Sequence, residues 1–287
     1  MCVGVIGPRG TFSEVAARKW DSSCELSYFD EISDVVEAVL GGEVDFGVVP
    51  IENSIEGSVN ITLDLLLEHS VKIVSEVVVP VVHNLLAREK GPIHTIVSHP
   101  QALAQCRKFL RAHFRDARLE GVQSTASAAK LASESRGIAA IASMESASAY
   151  GLRVVCRGIQ DVPFYSIEST LSKEWKGVPG NFTRLVVLDC GTSDTDCVIC
   201  KTSLVLHLKT NQAGALYELL GEFATRGIDL TRIESRPTKK ALEDYLFYID
   251  FKGKIEEEEF KSLLGGIGEH VDMLKVFGSY PAAERCL

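Results

Sequence analysis

Four groups of polar residues stand where an apolar strand pattern gives way to a helix pattern. At 45–49 the run DFGVV stops at Pro50 and sets down Glu52, Asn53 and Ser54 together. Gly57 and Ser58 follow before helical spacing resumes through Leu63, Leu66 and Leu67. At 95–98 a second strand pattern passes through His99 and Pro100 into a stretch bearing Gln101 and Gln105, which lie four apart and share one helix face. A third strand, 119–122, leads to Ser124-Thr125-Ala126, where Ser124 suits an N-cap. The chain itself opens with strand 3–6, a Gly-Pro turn, and Thr11-Phe12-Ser13-Glu14, the spacing of a capping box. Helix N-termini placed directly after strand ends present unpaired N–H groups and partial positive charge, and so favour anions. Hydroxyls and amides gathered at such points could ring one cleft, suited to a small molecule carrying carboxylates and held by neutral donors.

The elements that must position these groups alternate. From residue 1 to about 159, strand and amphipathic helix patterns succeed one another, as in a layered α/β domain. Strand 138–142 precedes one more helix, and 153–159 closes the series. The stretches 71–86 and 153–161 read as crossings between two lobes, an arrangement that allows a hinge. Beyond 161 the pattern changes: 162–180 is irregular, with Pro163, Trp175 and Pro179, and then comes Asn181-Phe182-Thr183-Arg184 before strand 185–188. The polar, Gly-containing stretch 189–201 reads as a linker. The tail places strands at 203–208, 229–235, 245–251 and 271–277 and helices at about 214–225 and 256–264, the βαββαβ order of a ferredoxin-like sandwich.

Length and charge narrow the classes. A chain of 287 residues has room for two domains, and a formal charge of −9 points away from nucleic acid as the main partner. It leaves an anionic small substrate open, because local backbone donors and a few Arg can reverse the field inside a cleft. With no signal-peptide pattern and no apolar run long enough to cross a bilayer, the expectation is a cytoplasmic protein without a membrane partner. Eight scattered cysteines then read as reduced thiols. Cys190, Cys197 and Cys200 with His207 lack the tight four-ligand frame of a structural zinc. The histidines show no H-E-x-x-H spacing and read as caps or surface cover. A nucleophile elbow, a Walker loop and a dinucleotide fingerprint are absent. Neither a metal nor a cofactor is expected.

Taken in series, the motifs are specific. GPRGTFSE at 7–14, VVPIENSIEG at 48–57, TLDLL at 62–66, SHPQALAQC at 98–106, STA at 124–126, IQD at 159–161 and NFTR at 181–184 resemble the prephenate dehydratases, in that family's order. GAL at 214–216 and IESRP at 233–237 resemble the regulatory ACT domain of the same enzymes. The resemblance implies a bilobal, type II periplasmic-binding-like catalytic domain over 1–189, its lobes formed by 1–80 with 160–189 and by 81–159. A linker at 190–201 and an ACT domain at 202–287 follow. It also implies a cofactor-free reaction, prephenate to phenylpyruvate with loss of carbon dioxide and water, inhibited by phenylalanine bound between ACT domains of a homodimer or homotetramer.

Carried over residue by residue, the resemblance assigns Thr183 to departure of the ring hydroxyl, and Glu52, Asn53 and Gln105 to the catalytic group. Thr11, Ser98, Ser124, Thr125 and Arg184 go to substrate binding. Gly214, Ala215, Leu216, Asp229, Glu234, Ser235 and Arg236 are assigned to phenylalanine. Which group acts as the acid stays open: a Thr hydroxyl is a poor Brønsted acid and works chiefly as a positioned donor, while Glu52 is the local carboxyl. Arogenate dehydratase and a non-catalytic amino-acid sensor are the alternative readings. A fused chorismate mutase is not expected, because a strand opens the chain. The sequence departs from the family pattern at the 162–180 insertion and at Leu185, where Phe is usual. Ala213 and Asp229 depart from it in the tail and bear on phenylalanine binding.

Overall fold

The computed structural model describes residues 1–161, 180–191, 199–254 and 258–283. Of the 162–180 insertion only Gly180 falls within them. The chain divides into two compact units. The first comprises Met1–Thr62 and Val77–Leu185, and the second Leu63–Glu76 and Val186–Ala283.

The elements run β1 (Cys2–Ile6), α1 (Phe12–Trp20), β2 (Glu25–Phe29), α2 (Ile32–Leu40), β3 (Phe46–Asn53), β4 (Gly57–Ser58), α3 (Asn60–Glu68) and β5 (Lys72–Pro80). Then come β6 (Asn84–Ala87), β7 (Thr95–Ser98), α4 (Pro100–Gln105), α5 (Arg107–His113), β8 (Arg118–Gly121), α6 (Thr125–Glu134), β9 (Ile138–Ala142), α7 (Met144–Ala149) and β10 (Arg153–Cys156). The remainder is β11 (Phe182–Asp189), β12 (Cys200–Leu208), α8 (Ala215–Ala224), β13 (Leu230–Pro237), β14 (Tyr245–Lys252), α9 (Glu258–His270) and β15 (Val271–Pro281).

Among the described residues three sheets form, in an α/β arrangement. The first has the order β2-β1-β3-β11-β5 with β4 folded back on β3, and the second the order β10-β6-β9-β7-β8. β1 pairs in parallel with both β2 and β3. Val3, Val5, Val48 and Val49 are fully buried in that sheet, as expected where helices cover a parallel sheet. α2 packs Val35 and Val39 so closely over β3 that a Cβ on Gly47 would lie 2.9 Å from both side chains. β2 and α2 fill the interval 21–45, where no element is expected from the sequence. A second difference is the helix carrying Gln105, which breaks at Cys106 into α4 and α5.

Gly10 shows how the first sheet's rim is fixed. It adopts φ +85° and lies so close to α7 that a Cβ would sit 2.7 Å from the Ser146 Cα, so no other residue fits. Its carbonyl accepts from the hydroxyls of Ser143 at 3.1 Å and Ser146 at 2.8 Å.

In the second unit the sheet order is β13-β14-β12-β15, built by β12, α8, β13, β14, α9 and β15 in the expected βαββαβ sequence. Strand alternation turns Leu204, Leu206, Ile249 and Phe251 toward Leu219 and Phe223 of α8 and Leu263 and Ile267 of α9. On other residues of the unit, Lys201 pairs with Glu76 at 2.6 Å, with side chains only 14% and 2% exposed. Lys275 donates to the carbonyls of Leu67 at 2.8 Å and His69 at 2.6 Å, capping the end of α3. Cys2, Cys24, Cys106, Cys156 and Cys190 carry thiols. Cys200 is disulfide-bonded, a correction to the expectation that every cysteine is reduced. Cys197 and Cys286 lie outside the described residues.

Candidate active site

The end of β3 lies beside the start of β11, and the polar side chains there interlock. The carbonyl oxygen of the Asn53 side chain accepts the backbone N–H groups of Ile55 at 3.0 Å and Glu56 at 3.1 Å. Backbone N–H can only donate, so the orientation of this carboxamide is fixed. Its Nδ2 therefore points the other way and donates to Asn181 Oδ1 at 2.8 Å, to the Phe182 carbonyl at 3.1 Å and to Thr183 Oγ1 at 3.1 Å. Asn181 Nδ2 in turn donates to Gln105 Oε1 at 3.0 Å. The same oxygen lies 2.9 Å from His83 Nε2. Because an amide oxygen only accepts, His83 carries its hydrogen on Nε2 and leaves Nδ1 bare.

One polarity thus runs through five side chains, set by two backbone N–H groups at its start. What it leaves over is informative. Thr183 Oγ1 already accepts from Asn53, so its own hydrogen is left to donate. Gln105 Nε2 and His83 Nδ1 are buried and have no hydrogen-bond partner among the described residues, although buried polar atoms in folded proteins are nearly always paired. An unpaired buried donor such as Gln105 Nε2, on a residue of a cavity wall, is what a site holds ready for a ligand.

All five side chains line one cavity of about 840 Å³ including its open mouth. Thr11, Phe12 and Ser13 reach it from α1, and Gln123, Ser124 and Thr125 from α6. At α1, Thr11 Oγ1 accepts the Glu14 N–H at 3.3 Å and donates to the Ile6 carbonyl at 2.8 Å. The Glu14 carboxylate reaches back to Gly10 N–H at 2.7 Å, one residue earlier than a standard capping box. At α6, Ser124 Oγ accepts the Ser127 N–H at 2.9 Å. Each cap leaves further first-turn N–H groups that no helical carbonyl can reach. Among the described residues no Asp, Glu, Lys or Arg lines the cavity. Nor does any group of three or more His, Cys, Asp or Glu among them converge as a metal site.

Other anticipated site residues lie elsewhere. Ser98 is fully buried and donates to the Ile141 carbonyl at 2.6 Å, so its hydroxyl is used inside the second sheet. Glu52 and Arg184 are absent from the cavity wall and pair with each other at 3.2 Å. Successive strand residues face opposite ways: Asn181, Thr183 and Leu185 line the cavity, and Arg184 between them does not. The local carboxyl considered as an acid is therefore engaged outside the cavity.

Sequence reasoning missed two contributors. His83, read as cap or cover, is 3% exposed, and burial holds its imidazole below the usual value, so it is neutral. Asp161, the last residue of the IQD motif, caps α5. Its carboxylate accepts from Lys108 N–H at 2.7 Å and Phe109 N–H at 3.2 Å, and its own N–H donates to the Gln105 carbonyl at 2.6 Å. Beside it the buried Cys106 thiol is pushed up to about 12, first by burial and then by the Asp161 charge, which leaves it unreactive.

In the second unit, Gly214 takes φ +95° ahead of α8, Ala215 is buried, and Leu216 packs against the core. Arg236 on β13 pairs with Asp64 at 2.9 Å and lies 5.7 Å over the Tyr248 ring. Glu234 pairs with Arg232 at 2.5 Å, and Asp229 with Lys252. Ser235 stands opposite Phe247 of β14.

The comparisons with known proteins identify a family. The family model described as prephenate dehydratase matches residues 3–165. A prephenate dehydratase of Methanocaldococcus jannaschii is 40% identical over 284 residues, covering 96% of each chain. A bifunctional chorismate mutase/prephenate dehydratase of Stutzerimonas stutzeri is 40% identical over 289 residues, covering 98% of this chain and 73% of that one. Among solved structures, the prephenate dehydratase of Arthrobacter aurescens in complex with L-Phe superposes with a TM-score of 0.84 at 31% identity, over 98% of this chain and 90% of that one.

Proposed function

The chain belongs to the prephenate dehydratase family, and we propose that its neutral cavity carries that reaction, prephenate to phenylpyruvate, through Thr183 and Gln105. The observation that carries the reading is the fixed polarity of the Asn53 network, which leaves the Thr183 hydrogen and the Gln105 amide hydrogens for substrate. Prephenate is a dianion. Its two carboxylates suit the first-turn N–H groups of α1 and α6. When the bond to the ring carboxylate breaks, its electron pair enters the ring and the opposite C–O bond breaks. Carbon dioxide departs neutral, and the leaving oxygen takes up one proton to depart as water. Charge builds on that oxygen as it leaves, and a donor already aimed at it lowers the barrier. Thr183 is that donor in this reading, and Gln105 orients the ring or its side chain.

The cavity also bears on which substrate is taken. Arogenate carries an ammonium where prephenate carries a keto group, and a buried ammonium needs a carboxylate. No Asp or Glu lines the cavity among the described residues, and two helix N-termini repel a cation. Prephenate should be favoured in kcat/KM by about a hundredfold or more, the scale of one unpaired buried charge. Parallel assays on the two compounds test this, and equal or better turnover of arogenate refutes it.

For control we read residues 202–287 as an ACT domain that binds phenylalanine and assembles as a homodimer or homotetramer, with 190–201 as linker and 1–189 as catalytic domain. The βαββαβ sheet supports this, as does the L-Phe complex of the Arthrobacter aurescens protein. Gly214, Ala215, Leu216, Asp229, Glu234, Ser235 and Arg236 form the effector set in this reading. No helix among the described residues is long and apolar enough to cross a membrane, in keeping with a cytoplasmic enzyme.

A further inference from the structure

His83 and Gln105 are held together by more than their side chains. The Ile159 N–H donates to the His83 carbonyl at 2.9 Å, and the His83 N–H donates to Gln160 Oε1 at 3.1 Å. The Asp161 N–H donates to the Gln105 carbonyl at 2.6 Å. A single tripeptide thus fixes the backbones of both residues, whose side chains meet at 2.9 Å.

The terminal torsion of a Gln side chain is soft, with two broad orientations. Which end of the Gln105 amide faces the cavity is therefore decided by what holds its oxygen. Two donors do so, Asn181 Nδ2 at 3.0 Å and His83 Nε2 at 2.9 Å. With one donor the amide pivots about a single hydrogen bond; with two it is locked. We propose that His83 is a positioning residue, which by donating to Gln105 Oε1 turns the Gln105 Nε2 hydrogens onto the substrate and affects the reaction only through Gln105. The inference rests on the reading that Gln105 touches substrate.

Four variants and one combination test it: His83→Leu, His83→Gln, His83→Asn, Gln105→Met, and His83→Leu with Gln105→Met. A Gln amide nitrogen reaches the position of His Nε2, and an Asn amide nitrogen that of Nδ1. His83→Leu should lower kcat about tenfold with KM nearly unchanged, the scale of one lost link in a coupled network. His83→Gln should recover most of that loss and His83→Asn little of it. In the Gln105→Met background His83→Leu should change kcat less than about twofold, because the group it acts through is gone.

Equal rescue by Asn and Gln overturns the proposal, and this comparison holds even if the Leu variant folds poorly. An undiminished effect of His83→Leu in the Gln105→Met background also overturns it, since His83 would then act directly or hold the fold. If Gln105→Met alone leaves kcat unchanged, the reading of Gln105 fails, and the inference falls with it for that separate reason.

Discussion

Replacing Asn53 by Asp changes one atom and should reverse the site. The oxygen of residue 53 that accepts from Ile55 and Glu56 N–H is retained, and a carboxylate accepts there better than an amide. The second atom, however, becomes an acceptor facing three acceptors: Asn181 Oδ1 at 2.8 Å, the Phe182 carbonyl at 3.1 Å and Thr183 Oγ1 at 3.1 Å. The carbonyl cannot adjust. Thr183 can, by turning its hydrogen onto the new carboxylate, which withdraws it from substrate. Asn181 can, by rotating its amide, but its oxygen then meets Gln105 Oε1, which must rotate in turn and present oxygen to the cavity. Two donors aimed at substrate are lost together, and a negative charge is added near a dianion. One such donor is worth about 10²–10³ in kcat, so Asn53→Asp should cost about 10⁴ or more, while Asn53→Ala, which merely unpins the network, should cost less. Appearance of phenylpyruvate from prephenate is the assay, with a denaturant melt to show that both variants fold. An Asp variant within about tenfold of the parent, or faster than the Ala variant, would refute the fixed polarity on which the site is built.

Thr183→Val keeps the shape of the side chain, and Asn53 Nδ2 retains two other acceptors; stability should hold while kcat falls about a hundredfold or more. Folding denaturation at two pH values tests His207, which lies 2.6 Å from both Asp244 and Asp272. The hydrogen bond to Asp244 leads in holding its pKa above the ordinary value, so its stabilisation is full below about pH 6.5 and lost as pH rises through the raised folded pKa. The stability gap between the parent and His207→Gln should therefore be wider at pH 6 than at pH 9, and an equal gap rejects the pairing. Glu76→Ala strands Lys201 in a largely buried place and should destabilise the fold by about 3–5 kcal/mol in a urea titration. Ser235→Ala with Arg236→Ala should relieve phenylalanine inhibition at little cost to basal turnover; undiminished inhibition would put the effector elsewhere.

How far the sequence was legible depended on the range of the interaction. Caps at Thr11 and Ser124, Pro100 at the start of α4 and the βαββαβ tail are local or periodic features, and they were readable. The split between α4 and α5 was not, because Asp161, which caps α5, is 53 residues from Lys108. His83 was missed for a like reason: it sits in an apolar run, and its partner Gln105 is 22 residues away. One difficulty could have been seen beforehand. Glu52 and Asn53 are neighbours on a strand, as are Thr183 and Arg184, and strand neighbours face opposite sides. One member of each pair had to leave the cavity, and the two that left, Glu52 and Arg184, meet each other.

That departure fits the chemistry. Two carboxylates would pair readily with Lys or Arg, yet none lines the cavity among the described residues. The ring carboxylate must end as neutral carbon dioxide, so it loses charge on the way to the transition state. A cation beside it would hold the ground state more tightly than the transition state and slow the reaction, since only interactions that strengthen along the way accelerate it. First-turn N–H groups carry about half a charge at each helix end, enough to seat a carboxylate without pinning it. The strong donor belongs at the other end of the ring, where negative charge appears on the leaving oxygen, which is the role proposed for the Thr183 hydrogen that Asn53 leaves over. An Arg184 swung into the cavity would tighten binding and lower kcat. Placing a cation there by Leu185→Lys should do the same, with KM and kcat falling together; a rise in kcat would show that the carboxylate does not discharge in the rate-limiting step.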